Sequence, residues 1–481
     1  MLDLPAFFLY NGLNLKRIFP RKEGHYMELK EFLKQAGNVK PTERQMNWYD
    51  TEFYAFVHFT MPTFIDADIG EGDEDEMLFN PYDLNCDEWV EAVKAAGMKG
   101  IVLTAKHHDG FCLWPSKYTE HCVKNSKNWK NGQGDVVKEC ADACRRGGIK
   151  FGVYLSPWDR NSKYYGSEEY NDYYCNQLEE LLTSYGDLFL VWFDGACFEG
   201  PNGRKQEYDF DRYISLIRKY QPNACIFNDH GPDVRWCGNE GGHARRGEWA
   251  VVPHELCYRC PIQTEPGPMK GDISAIQNYD ENIGEIHNIM YSEGLVFAGA
   301  EIDMSIRPSW FYHTNQEPHS LERLFNTYLN SCGSNTSFNL NVPPMPSGRF
   351  DPRDIQRLKE LGDLIRTTFS EENEVPYRME RTDLSDTQCR FDLYFDELAP
   401  VSSIMLMEDL TKGQRIENFV VLNGGEGEPV FQGFTVGHKK ILKFDRGCGW
   451  FHSKHLAVIV NAARDRVELR DIKVYKENGI K

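Results

Sequence analysis

From Tyr54 to about Phe369 one alternation recurs, a short apolar run followed by a segment with apolar residues at three- and four-residue spacing. It constrains the fold more than any other feature, because βα units bury such runs only in a parallel sheet covered by helices. The runs are Tyr54 to Phe59, Gly100 to Thr104, Lys150 to Leu155, Leu188 to Phe193, Ala224 to Phe227, Trp249 to Val252 and Leu295 to Ala298. Helical spacing marks Cys86 to Ala96, Asp135 to Arg146, Glu168 to Tyr185 and Tyr208 to Tyr220. Asp135 is positioned to cap the second of these segments and Gly147-Gly148 to end it. Seven runs approach the eight strands of a (β/α)-barrel. A doubly wound open sheet gives the same alternation, so the placement of polar residues has to separate the two.

After Thr368 the pattern changes to short alternating segments parted by Gly, Asp and Asn: Cys389 to Phe395, Ser403 to Met407, Asn418 to Val421, Lys440 to Phe444, Leu456 to Val460 and Val467 to Tyr475. That pattern predicts an all-β sandwich, with the boundary between Ser370 and Tyr377, where Glu371, Glu372 and Glu374 precede Pro376. The 481 residues are enough for a barrel and one smaller domain. The expected organisation is an N-terminal extension over 1–26, a barrel domain over 27–370 and a C-terminal sandwich over 371–481. No internal repeat or low-complexity tract interrupts it.

Charge and composition remove several function classes. A formal net charge of −19 repels phosphate backbones, which argues against nucleic acid as a partner. No apolar run approaches the roughly 20 residues of a membrane span. The 14 cysteines are scattered from Cys86 to Cys448 and several sit inside apolar stretches, so most are expected to be free, buried thiols. The apolar stretch Leu4 to Leu13 lacks a preceding basic residue and a following small-residue cleavage site, and it makes a poor signal peptide. The chain as given reads as cytoplasmic, or as periplasmic or secreted if a leader has been removed. Its oligomeric state is left open.

In a barrel, reactive groups project from the C-terminal ends of strands, where the βα loops surround one mouth. Here His58 closes the first run, Lys106-His107-His108-Asp109 the second, Tyr154 the third, Asp194 the fourth and Asn228-Asp229-His230 the fifth. Each has a plain structural alternative: a strand-end histidine often only makes a structural hydrogen bond, and Asp194 could cap the next helix. Taken together, the adjacent imidazoles His107 and His108 offer donors and acceptors suited to sugar hydroxyls. A metal site is the rival for the histidines, but no HExxH or paired CxxC spacing is present. Asp194 follows an unbroken apolar run and would be partly desolvated, as a nucleophile requires, and Trp192 beside it could wall a sugar ring or belong to the core. Retaining glycoside hydrolysis needs a second carboxyl about 5 to 5.5 Å away with a raised pKa. The candidates are Asp229, Asp233, Glu240, Glu248 and Glu301, of which Glu240 lies in a glycine-flanked loop, Gly238 to Gly242.

These stretches resemble glycoside hydrolase family 29, the α-L-fucosidases, over most of residues 40–370. The matching segments are Phe56-Val57-His58-Phe59, Ala105-Lys106-His107-His108-Asp109-Gly110-Phe111, Phe151-Gly152-Val153-Tyr154, Val191-Trp192-Phe193-Asp194-Gly195 and Arg307-Pro308-Ser309-Trp310-Phe311-Tyr312. The resemblance implies a retaining exo-α-L-fucosidase on a barrel with an accessory β-domain, with Asp194 as nucleophile and no cofactor or metal. It implies fucose binding by His58, His107, His108, Tyr154 and Trp192, with Trp236 and Trp310 as further aromatic contacts. The stretch Gly231-Pro232-Asp233-Val234-Arg235-Trp236-Cys237-Gly238-Asn239-Glu240 resembles the subgroup selective for α-1,3 and α-1,4 linkages in branched, Lewis-type glycans, which puts the general acid/base on Glu240. Met61-Pro62-Thr63-Phe64 is similar to the same subgroup and adds Thr63 and Phe64 to the expected substrate contacts. Pro62 and the acidic loop Glu71 to Glu76 depart from the subgroup pattern. The alternatives are a broad-specificity α-L-fucosidase acting on aryl, α-1,2 or α-1,6 fucosides, and a barrel that binds fucose without cleaving it.

Overall fold

The computed structural model describes residues 18–20, 26–229, 231–254, 283–290, 292, 294–444 and 451–476. His230 and most of the 1–26 extension lie outside these residues. Eight parallel strands close into a barrel: β1 (Phe53–Val57), β2 (Gly100–Lys106), β3 (Lys150–Leu155), β4 (Leu190–Trp192), β5 (Cys225–Asn228), β6 (Val234–Trp236), β7 (Gly299–Ser305) and β8 (Thr336–Asn341). β8 returns to pair with β1, so the sheet has no edge. Helices α1 (Cys86–Ala95), α2 (Val136–Gly147), α3 (Glu168–Ser184), α4 (Phe210–Tyr220), α5 (Leu321–Asn330) and α6 (Pro352–Thr368) follow the strands. The predicted ends of α2 hold: the Asp135 carboxylate accepts from the Lys138 N–H, and Gly148 closes the helix at φ 69°, a left-handed conformation that suits a residue without Cβ.

Five of the seven apolar runs are barrel strands. The other two are not: Val251–Pro253 and Leu295–Phe297 pair antiparallel in a separate two-stranded sheet. Ala250, Val251 and Phe297 cluster with Trp48 and Tyr49 of the helix Glu43–Thr51, so burial against that helix accounts for their apolarity. The strands that complete the barrel, β6, β7 and β8, are interrupted in sequence by Arg235, Glu301, Asp303, Asn339 and Asn341. In β7 the apolar Ala300, Ile302 and Met304 belong to the core between strands and helices, while Glu301 bonds inside the barrel to side chains of β1, β4 and β8. Searching for unbroken apolar runs therefore passes over the strands whose inward residues are polar.

Two antiparallel sheets follow, one in the order β9 (Arg378–Ser385), β10 (Gln388–Val401), β15 (Phe451–Ala463), β12 (Ile416–Asn423), β13 (Pro429–Gly433), the other β14 (Lys440–Lys443), β11 (Ser403–Glu408), β16 (Leu469–Tyr475). Phe391, Leu393, Val421 and Val458 of the first share one buried cluster with Ile404, Leu406, Leu442 and Val474 of the second, which is a sandwich core. Met405, Met407, Ile441 and Tyr475 belong instead to the cluster that surrounds the barrel, so the sandwich packs directly against it. Eleven of the cysteines are described, and all are free and buried.

Candidate active site

The polar strand ends converge on one mouth. His58, just past β1, sets Nδ1 2.9 Å from the Asn341 Oδ1, which also accepts from the His58 N–H at 3.2 Å. Asn341 ends β8, and its amide donates to Ser305 Oγ (2.9 Å) and to the Trp310 carbonyl (2.7 Å), so one side chain fixes the ends of β1, β7 and β8 relative to each other. The rings of His58 and His107 lie 5.4 Å apart, those of His107 and His108 4.0 Å, and the Trp310 ring 5.1 Å from that of His58. Burial lowers the pKa of all three histidines, that of His58 to about 3, so they stand neutral in the mouth. His107 Nδ1 is buried with no hydrogen-bond partner. The Ser156 hydroxyl donates to the Trp158 carbonyl at 2.7 Å and therefore accepts from His108 Nδ1, also at 2.7 Å. That fixes the tautomer with a free lone pair at His108 Nε2, 4.0 Å from Asp194 Oδ2 and ready to accept from a ligand hydroxyl.

Asp194 stands two residues past β4. Its Oδ2 accepts from the Tyr154 hydroxyl at 3.0 Å and its Oδ1 from the Ala196 N–H at 2.7 Å. It does not cap the next helix; Asp209 caps α4. Trp192 lies lower in the barrel, stacked 4.0 Å from Phe227 with its Nε1–H donated to Glu301 Oε1 at 2.8 Å. It forms the floor on which the Tyr154 ring rests, 5.2 Å away.

The five candidates for a second carboxyl separate by environment. Asp233 is held by Arg44 and Arg218. Glu248 is sealed between Arg235 and Arg245. Glu301 is buried inside the barrel, bonded by Tyr54, Trp192 and Asn339, and burial pushes its pKa up to about 7. Asp229 is buried and packs on Gly195, next to Asp194: a Cβ at Gly195 would stand 2.1 Å from the Asp229 Oδ2, so a larger residue there would displace the Asp229 carboxyl. Burial and the Asp194 charge raise Asp229 to about 7. Glu240 lies on the loop between Gly238 and Gly242, both at positive φ, and is exposed as a residue. Desolvation, with the field of Asp194, holds its pKa above the usual carboxylate range.

Trp236, ending β6, is half-buried and donates its Nε1–H to Asp303 Oδ1 at 2.7 Å. Thr63 is buried with its hydroxyl unpartnered. Phe64 is half-buried, its ring 5.6 Å from that of Phe59 and 4.8 Å from that of Phe79, so it packs against the core behind β1. Lys106, although adjacent to His107, turns outward to an ion pair with Asp159 at 2.9 Å among the tyrosines of α3. Asp303 and Asn341 were not singled out from sequence. The signal lies in the two-residue alternation of Glu301, Asp303 and Ser305 and of Asn339 and Asn341 along β7 and β8. Among the described residues no group of three or more His, Cys, Asp or Glu is arranged to hold a metal ion, and none of the helices is long and apolar enough to cross a membrane.

A family model described as alpha-L-fucosidase matches residues 26–250. The chain is 37% identical over 456 residues to Alpha-L-fucosidase 1 of Arabidopsis thaliana, covering 88% of this chain and 85% of that protein. Among solved structures, a glycoside hydrolase 29 family member from an unknown rumen bacterium superposes with a TM-score of 0.79 at 34% identity, covering 92% of this chain and 78% of that one. A Ruminococcus gnavus GH29 fucosidase in complex with fucose superposes with a TM-score of 0.77 at 28% identity, covering 92% and 96%.

Proposed function

Since the chain belongs to glycoside hydrolase family 29 and is an α-L-fucosidase, we propose that it acts by double displacement, with Asp194 as nucleophile and Glu240 as general acid/base. The observation that carries this is the sorting of the carboxyls. Asp233 and Glu248 are committed to ion pairs, Glu301 and Asp229 are buried, and Glu240 alone reaches solvent from a loop whose carboxyl feels the Asp194 charge. Asp194 attacks the anomeric carbon while Glu240 protonates the departing oxygen; Glu240 then takes a proton from the water that releases the fucosyl group. The Tyr154 hydroxyl and the Ala196 N–H hold the Asp194 carboxylate in line. The neutral imidazoles of His58, His107 and His108 bind ring hydroxyls, bonds that tighten as the ring flattens toward an oxocarbenium ion. Trp192, Trp236 and Trp310 supply apolar surface for the face that carries the C5 methyl group.

The substrate proposed is terminal α-1,3- or α-1,4-linked fucose on branched, Lewis-type glycans, supported by the Gly231 to Glu240 stretch and the Met61 to Phe64 stretch. Comparing kcat/KM for a Lewis-type trisaccharide with that for an aryl fucoside tests it. Strong preference for the trisaccharide is expected, and equal or better turnover of aryl, α-1,2 or α-1,6 fucosides overturns the linkage assignment in favour of a broad fucosidase. Turnover of any of them excludes a barrel that only binds fucose.

A further inference from the structure

The acidic loop after β1 is fastened across the mouth at two points. At one side His313, on the segment between β7 and α5 that also carries Trp310, sets Nδ1 2.7 Å from Asp66 Oδ1 and Nε2 3.2 Å from Asp68 Oδ1. Each ring nitrogen of His313 thus faces a different carboxylate, so one side chain ties two successive acidic positions of the loop. At the other side Arg160, past β3, donates to the Gly70 carbonyl at 2.6 Å and pairs with the Glu71 carboxylate, while the Asn161 amide donates to the Gly72 carbonyl at 2.8 Å. A segment that leaves the barrel at β1 is thus held by the loops of β3 and β7. Ile65 and Ile69 stand exposed on it, 36% and 45% accessible, apolar surface of the kind that sugar C–H faces pack on. The hydrogen bonds to the Asp194 carboxylate come from Tyr154 and Ala196, not from this loop.

We propose that His313 is a positioning residue that holds the Asp66 to Glu76 loop as a wall of the subsite for the sugar next to fucose, and so sets which glycans are accepted. The proposal rests on the reading of Asp194 and Glu240 as the catalytic pair, because that pair fixes which side of the mouth the departing sugar occupies. The Asp66 and Asp68 side chains are 74% and 60% accessible, so the tie is partly screened by water. Its loss is expected to change selectivity by about fivefold rather than by orders of magnitude.

The test compares wild type, His313→Ala and His313→Gln on an aryl fucoside, which places no sugar in that subsite, and on fucosyl oligosaccharides with α-1,2, α-1,3, α-1,4 and α-1,6 linkages. KM for the oligosaccharide that wild type prefers should rise about fivefold in both variants, with kcat and aryl-fucoside turnover nearly constant. Asp66→Asn/Asp68→Asn should reproduce the shift, and combining it with His313→Ala should add nothing further. An unchanged ratio between oligosaccharide and aryl fucoside overturns the proposal, as does an equal fall on both, which is what a purely structural role would give. An Asp194→Ala or Glu240→Ala enzyme of normal activity refutes the catalytic reading instead, and wild type preferring another linkage refutes only the linkage assignment.

Discussion

At the residue scale, two carboxyls in different environments, Asp194 and Glu240, divide the proposed chemistry between them. Asp194→Ala should lower kcat by more than about 10³-fold while circular dichroism and the melting temperature hold; near-normal turnover removes it as the nucleophile. Glu240 must be protonated to act as the acid, and its pKa is raised, so activity should fall as pH climbs past that raised value. Glu240→Gln should remove this alkaline limb and spare fucosides with good leaving groups far more than unactivated ones, as steady-state pH profiles would report. Glu301 belongs to stability rather than chemistry. Its folded pKa is near 7 against 4.5 for the free group, so the stability it contributes is complete below 4.5 and lost as pH rises through 7. Glu301→Gln should flatten the pH dependence of the melting temperature over that range. The strand-end residues His58, His107, His108, Tyr154 and Asp194 were legible in sequence because each closes an apolar run. Asp303, Asn341 and the role of Asp229 were not, because inward polar positions on a strand look like breaks in it, and closeness to Asp194 is a property of the closed barrel.

At the scale of elements, periodicity found α1 to α4 and five strands, whose apolar residues fall at helical spacing or in unbroken runs, and it did not mark α5 and α6. It misassigned Trp249–Val252 and Leu295–Ala298 and missed β6, whose apolar pattern is broken by Arg235, and β7 and β8, where the barrel interior is lined by Glu301, Asp303 and Asn339. Local signals succeeded where one side chain decides an end: the Asp135 cap and the Gly148 terminus of α2 are as the sequence predicts. Asp135→Ala should cost about 1 kcal/mol in urea unfolding without changing kcat, and a loss below about 0.3 kcal/mol would show that the cap contributes little.

At the scale of the molecule, the sandwich is joined to the barrel by buried polar contacts as well as by its apolar face. Lys439 pairs with Glu52 at 2.6 Å just ahead of β1. Gln414 accepts from the Ala250 N–H and donates to the Glu248 carbonyl, and the Asn335 side chain accepts from the His438 N–H. Burial opposes charge on Glu52, and Lys439 overcomes it, so the lysine sustains a buried anion. Lys439→Ala should therefore lower stability by about 3 kcal/mol, although the residue is far from the mouth, with kcat per folded molecule preserved. A change within 0.5 kcal/mol, roughly the scatter of surface substitutions, would mean that the two parts are coupled by packing alone. The central claim is that one carboxylate at the end of β4 takes the fucosyl group covalently. It is tested most directly by trapping the enzyme with a fluorinated fucosyl inhibitor and mapping the labelled peptide by mass spectrometry. The mass of one fluorofucosyl group on Asp194 is the expected result; a label on Asp229 or any other residue, or turnover with no covalent species under conditions that slow its release, would contradict it.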